Sequence, residues 1–317
     1  MSIIYFIVQQ TMFFSIPLLI VALGGMFSER SGVINIALEG IMTIGAFSGI
    51  LFINIVQQVI PGQPVLMLGI LVSMFTGVMV SLLHAYASIN LKADQIISGI
   101  AINMLAPAIA VYIARTIRTT QQIPFINQFR VDKVHLLGDI PFLGPLLFQN
   151  TYITTYLGFL ILALSAAVLY KTRFGLRLRA CGEHPQAADS AGINVYAMRY
   201  AGVMLSGALA GLGGLIFIIP TSTQFNADVS GYGFLALAVL IFGQWKPMRI
   251  LAAAFFFGLM KAISSSYSGI DFMRAISIPA YVYKMVPYIA TLVILAFSSK
   301  LSQAPKASGM PYDKGRR

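Results

Sequence analysis

Charge is scarce in this sequence. Only 10% of its 317 residues are charged, against about 25% in a soluble globular chain, while 58% are hydrophobic. That scarcity excludes an ordinary soluble domain and leaves a chain made for lipid. Cysteine is nearly absent, and the one present, Cys181, excludes an internal disulfide. There is no G-x-x-x-x-G-K-[ST] loop, which excludes ATP binding through a phosphate loop. No H-E-x-x-H motif or cysteine pair offers a metal site, and no G-x-S-x-G elbow presents a serine nucleophile. The expectation is therefore a chain with no catalytic residue, no metal and no cofactor of its own, whose energy comes from outside.

Acidic residues are also few, 10 against 21 lysines and arginines, for a net charge of +11. Such a surplus ordinarily raises nucleic-acid binding. Here the charges sit in loops that flank apolar runs rather than along one polar face, so no nucleic acid is expected as a partner.

What is present is a series of apolar runs, each about 20 residues long and able to cross the hydrocarbon core. Breaks at Pro, Gly, Asn or charge divide them into about nine (8–10) helices, at about 3–25, 34–56, 64–88, 95–114, 151–170, 199–220, 231–243, 250–266 and 285–298. The amino terminus lacks a basic leader and an obvious cleavage site, so the first run is expected to stay as a transmembrane helix. A polar stretch occupies about 115–150 and the chain ends in a basic tail, expected to be disordered over 301–317. Residues 1–300 then form one membrane domain of all-α, polytopic class.

Lys171, Arg173, Arg177, Arg179 and Arg199 crowd one stretch between apolar runs, and the positive-inside bias puts that stretch on the cytoplasmic side. Alternating the spans from there leaves the amino terminus outside and the carboxyl terminus in the cytoplasm. Arg115, Arg118, Arg130 and Lys133 run against the bias. Within the loop at 171–198, Pro185 stands where a short helix would begin and Gly192 where it would end. Ala187, Ala188 and Ala191 would share one smooth face, surrounded by Glu183, His184, Gln186 and Asp189.

Polar residues inside the spans are the candidates for a solute path. Asn35, Glu39 and Thr43, four apart, predict a polar stripe on one helical face. A charge at mid-membrane costs about 2.5–3.5 kcal/mol on insertion scales, so Glu39 should face protein or a water-filled path. Asn103 is a second intramembrane amide, with Pro107 breaking the helical ladder one turn later. Gln224 and Asp228 precede the short run GYGFLALAVLIFG, whose length predicts a partly re-entrant element. Gly207 and Gly211 form a G-x-x-x-G pair suited to close helix packing.

Two stretches carry a resemblance. GEHPQAADSAGINV resembles the cytoplasmic coupling segment of ABC importer permeases of the ribose, simple-sugar and nucleoside branch. SERSGVINIALEGIMTIGAFSG resembles the segment that opens an early helix in the nucleoside-type, basic-membrane-protein-linked members. The likeness spans roughly residues 15–300 and implies the fold of such a permease. It also implies docking of an ATPase subunit at Glu183, His184, Ala187, Ala188, Asp189 and Gly192, with ATP and Mg held by that ATPase, which often has two fused nucleotide-binding domains. Further implied are a second, longer permease in a heterodimer, an extracytoplasmic binding lipoprotein, and a bacterial cytoplasmic (inner) membrane location. A nucleoside fits best as solute, with riboflavin or a simple sugar as alternatives. From another class, a self-sufficient secondary transporter or channel would use Glu39, Asp228 or Lys261 as a proton or ion relay.

Overall fold

The computed structural model describes residues 2–135, 137–141, 144–266 and 304–314, with isolated positions 282, 283, 285, 289 and 292. Ten α-helices are described: α1 Ser2–Arg30, α2 Leu38–Val56, α3 Gln63–Ala85, α4 Gln95–Arg118, α5 Ile153–Lys171, α6 Arg173–Glu183, α7 Pro185–Ser190, α8 Val195–Thr221, α9 Tyr232–Phe242 and α10 Pro247–Ser266. A π-helical turn, Tyr86–Asn90, extends α3. Among the described residues seven helices are long and apolar enough to cross a membrane: α1, α2, α3 with its extension, α4, α5, α8 and α10. The chain is thus a multi-pass, all-α membrane protein. Of the last expected span, about 285–298, only positions 285, 289 and 292 are among the described residues.

At the centre stands α8, packed against α1, α2 and α3. Lipid supplies no hydrophobic drive between helices, so close backbone approach has to hold them. Small residues permit it. Gly207 and Gly211 face Ser73, Gly77 and Ser81 of α3, and a Cβ added at Gly211 would run into the Ser73 carbonyl. Gly45 of α2 lies against Gly211 as well. The serines and glycine of α3, also four apart, are the matching half of the Gly207–Gly211 pair.

The polar stretch after α4 is not featureless. It holds β2 (Arg130–Lys133), which pairs antiparallel with β3 (Gln149–Tyr152), and β1 (Ile123–Pro124), which pairs with β4 (Gln224–Phe225) ahead of α9. These short ladders satisfy backbone groups that a bare loop would leave to water.

Three expectations need correction. The second helix begins at Leu38 rather than near 34, because residues 31–37 form an irregular, largely buried segment. Arg199 lies inside α8 rather than in a loop and is 1% exposed. The tail is ordered over 304–314: Ala307 donates to the Gly182 carbonyl at 2.9 Å, Gly309 donates to that of Gly32 at 3.2 Å, and Tyr312 is buried. Hydrogen bonds to backbone elsewhere in the chain, and a buried aromatic, outweigh the tail's polar composition.

Candidate functional site

Buried irregular backbone requires partners from elsewhere in the chain. For residues 31–40 they arrive from α3, α4 and α8. Gln95 Oε1 accepts from Ile34 N at 2.7 Å, and His84 Nε2 lies 2.8 Å from the Ile34 carbonyl. That carbonyl can only accept, so the ring proton belongs on Nε2 and Nδ1 is left to accept from Ser98 Oγ at 3.1 Å. Asn103 serves both ends of the break: Nδ2 donates to the Ile36 carbonyl at 2.9 Å, and Oδ1 accepts from Gly40 N at 2.7 Å. Asn35 turns away from Asn103 to donate to Ser206 Oγ on α8 at 2.9 Å.

The polar stripe is therefore interrupted. Asn35 precedes α2, fully buried, while Glu39 sits in its first turn. Thr43 donates its hydroxyl back to the Glu39 carbonyl at 2.9 Å. A four-residue spacing gives one face only where the helix is continuous.

Glu39 reaches the start of α9. Its Oε1 accepts from Gly231 N at 2.8 Å and its Oε2 from Gly233 N at 2.5 Å. Both glycines are dictated by geometry: Gly231, the residue before α9, has φ of +75°, and a Cβ at Gly233 would collide with the backbone of Glu39. A carboxylate on free N–H groups at a helix N-terminus is stabilised by the helix dipole. Asp228 completes the arrangement from the exposed side, accepting from Ser230 N at 2.8 Å. Gln224 stays apart in β4, paired to Pro124.

Asn103 lies about 14 Å along α4 from its cap at Asp94, at 1.5 Å per residue, so its contact with Gly40 falls well inside the length of α4. The 11 residues of α9 cover about 16 Å, half the core. The starts of α2 and the short α9 thus meet, with Glu39 at the junction. Interrupted helices with polar backbone aimed at mid-depth are how transporters form solute sites.

Near the other end of α1 a second polar group gathers. Trp245 Nε1 donates to Glu29 Oε2 at 2.6 Å, and Arg30 Nη2 donates to the Trp245 carbonyl at 3.1 Å. Arg30 also pairs with Glu183 at 3.7 Å. No local sequence pattern announces this grouping, because Glu29 and Arg30 lie more than 200 positions from Trp245.

The coupling segment is two helices. Thr172 caps α6, accepting from Gly175 N at 3.1 Å; α7 opens at Pro185, and Gly192 with φ of +79° closes the turn after it. His184, Gln186, Ala187, Ala191 and Gly192 are exposed, and Glu183 and Asp189 are half-buried. Ala188 corrects the expected alanine face: it is 3% exposed and packs inward with Cys181, Val195 and Tyr312. Adjacent helical residues point about 100° apart, so Ala187 and Ala188 divide between outside and inside. Burial pushes the Cys181 thiol up to about 11. Among the described residues no three histidine, cysteine or acidic side chains gather as metal ligands would.

Residues 7–295 match the family described as branched-chain amino acid transport system / permease component. The chain belongs to this permease family. It is a membrane transport subunit rather than an enzyme. The chain is 44% identical to the guanosine ABC transporter permease protein NupQ of Bacillus subtilis, over 100% of this chain and 99% of that protein. It is 41% identical to the nucleoside ABC transporter permease protein NupC of Lactococcus lactis, over 98% and 97%. A second nucleoside ABC transporter permease protein of that organism, NupB, is 24% identical over 95% of this chain and 84% of its own length. No solved structure matches the chain.

Proposed function

We propose that this permease is part of an ATP-driven importer that takes up nucleosides, purine or pyrimidine, handed to it by an extracytoplasmic binding lipoprotein. The observation that carries this is near-complete coverage at 44% and 41% identity by relatives described as guanosine and nucleoside permeases. In this reading ATP and Mg act on a partner ATPase that docks on the exposed side of α7, at His184, Ala187 and Gly192. Glu39, Asn103 and Asp228 lie along the solute path beside the start of α9, with Asn35, Thr43 and Gln224 as its supporting polar groups. The amino terminus faces outward in the cytoplasmic membrane.

A heterodimer with a longer permease completes the path. Its support is that two permeases of one organism, NupB and NupC, both align with this chain, and the chain spans less of NupB than of NupC.

The test is a gentle-detergent pull-down of the tagged chain from its native membrane, followed by uptake with the recovered complex. Recovery of an ATPase and a second permease, with ATP-dependent guanosine uptake that unlabelled nucleosides compete away, is the expected result. Competition by riboflavin or glucose but not by nucleosides overturns the solute. Gradient-driven uptake by the chain alone overturns the importer.

A further inference from the structure

Arg199 is the largest of the fully buried side chains, and no carboxylate among the described residues neutralises it. Its Nη1 donates to the Met310 carbonyl at 3.0 Å, while Nε and Nη2 find no acceptor among the described residues. The Tyr312 ring lies 5.9 Å from its guanidinium, within cation–π range. A buried charge without a counter-ion is costly, and here the hydrogen bond and the aromatic face that relieve it both come from the segment 304–314. Arg199 and that segment hold each other.

The segment reaches three further elements. Ala307 N bonds the Gly182 carbonyl just ahead of α7; Gly309 N bonds the Gly32 carbonyl at the head of the irregular stretch leading to Glu39; and Asp313 pairs with Lys92, between α3 and α4, at 3.1 Å. Tyr312 packs beneath α7 with Cys181 and Ala188, and edge-on to Tyr196. The gap between α7 and the segment is a shallow groove of about 230 Å³ lined by His184, Gln186, Lys306 and Met310.

We propose that residues 304–314 are a clasp that makes α7 and the 31–37 segment move as one body, so that displacement of α7 by a bound ATPase reaches Glu39 and the start of α9. Arg199 and Tyr312 are its positioning residues. This rests on the docking role of α7. Coupling between sites travels through rigid contacts that both sites bias, and the clasp is one such route, beside the Arg30–Glu183 pair.

Cys181, the single cysteine of the chain and fully buried under Tyr312, reports on the clasp directly. The experiment uses membrane vesicles holding the whole transporter and compares wild type with deletion of residues 304–317, Tyr312→Ala and Tyr312→Phe. It reads maleimide modification of Cys181 by mass spectrometry, and guanosine taken up per ATP hydrolysed. Deletion and Tyr312→Ala are expected to raise the modification rate about tenfold or more, as local opening predicts, and Tyr312→Phe to stay near wild type because it keeps the ring. Uptake per ATP should fall about fivefold in the same two variants, with the ATPase still bound and still hydrolysing. Unchanged modification overturns the clasp, and raised modification with normal uptake per ATP overturns its part in coupling. If the deletion fails to reach the membrane, Tyr312→Ala decides by the same criteria. Failure of the docking reading shows separately, as normal uptake by Ala187→Arg, and the modification result does not depend on it.

Discussion

Glu39 accepts two backbone N–H groups at the start of α9, so removing its charge and shortening it are expected to have different effects. Glu39→Gln turns one acceptor into a donor that faces an N–H. Losing a hydrogen bond to a charged group costs about 1.5–3 kcal/mol, which is roughly a ten- to hundredfold loss if the bond persists through transport. Glu39→Asp keeps the charge and should retain more uptake. The check is initial uptake rate in vesicles at matched protein level; equal, near-normal rates in both variants would reduce Glu39 to packing. At this scale the sequence was half legible. Glu39 stood out because a carboxylate in an apolar run is costly, but Asn35 did not reveal its partner. That partner, Ser206, lies 171 positions along the chain.

At the scale of elements, α7 and α8 carry opposite demands. The exposed Ala187 and the buried Ala188 make a paired test of docking. Ala187→Arg should leave the chain folded in the membrane while the ATPase no longer co-purifies. Ala188→Arg should instead lower the amount of folded chain, because it drives a charge into the packing around Cys181 and Tyr312. Co-purification and fluorescence-detected size exclusion on both variants separate these outcomes. In α8, Gly211→Leu sets a side chain against α3 where even a Cβ does not fit. A loss of about 3 kcal/mol or more is expected, beyond the usual range for overpacking, seen as a lower melting temperature in detergent than for Leu212→Ile. The G-x-x-x-G pair was readable in advance, because its period is local. Which helix it met was not.

For the whole molecule, orientation is the property open to direct measurement. With Cys181→Ser as background, Asp132→Cys on the exposed β2 should react with a membrane-impermeant maleimide in intact cells, and Gln186→Cys on α7 only in inverted vesicles. The reverse pattern would invert the topology argued from basic residues. The sequence by itself determined that the chain lives in lipid and roughly where it crosses. Each crossing is a contiguous run whose transfer from water is decided locally, residue by residue. It also determined the place of the short α7 and of the half-length α9, through Pro185, Gly192 and the length of one apolar run. Only the tertiary structure decided that α2 starts late, that Arg199 is buried, and that the tail is docked. In each case a polar group inside the protein needs a hydrogen-bond partner, and those partners come from helices and a tail far along the chain, where no local pattern can announce them.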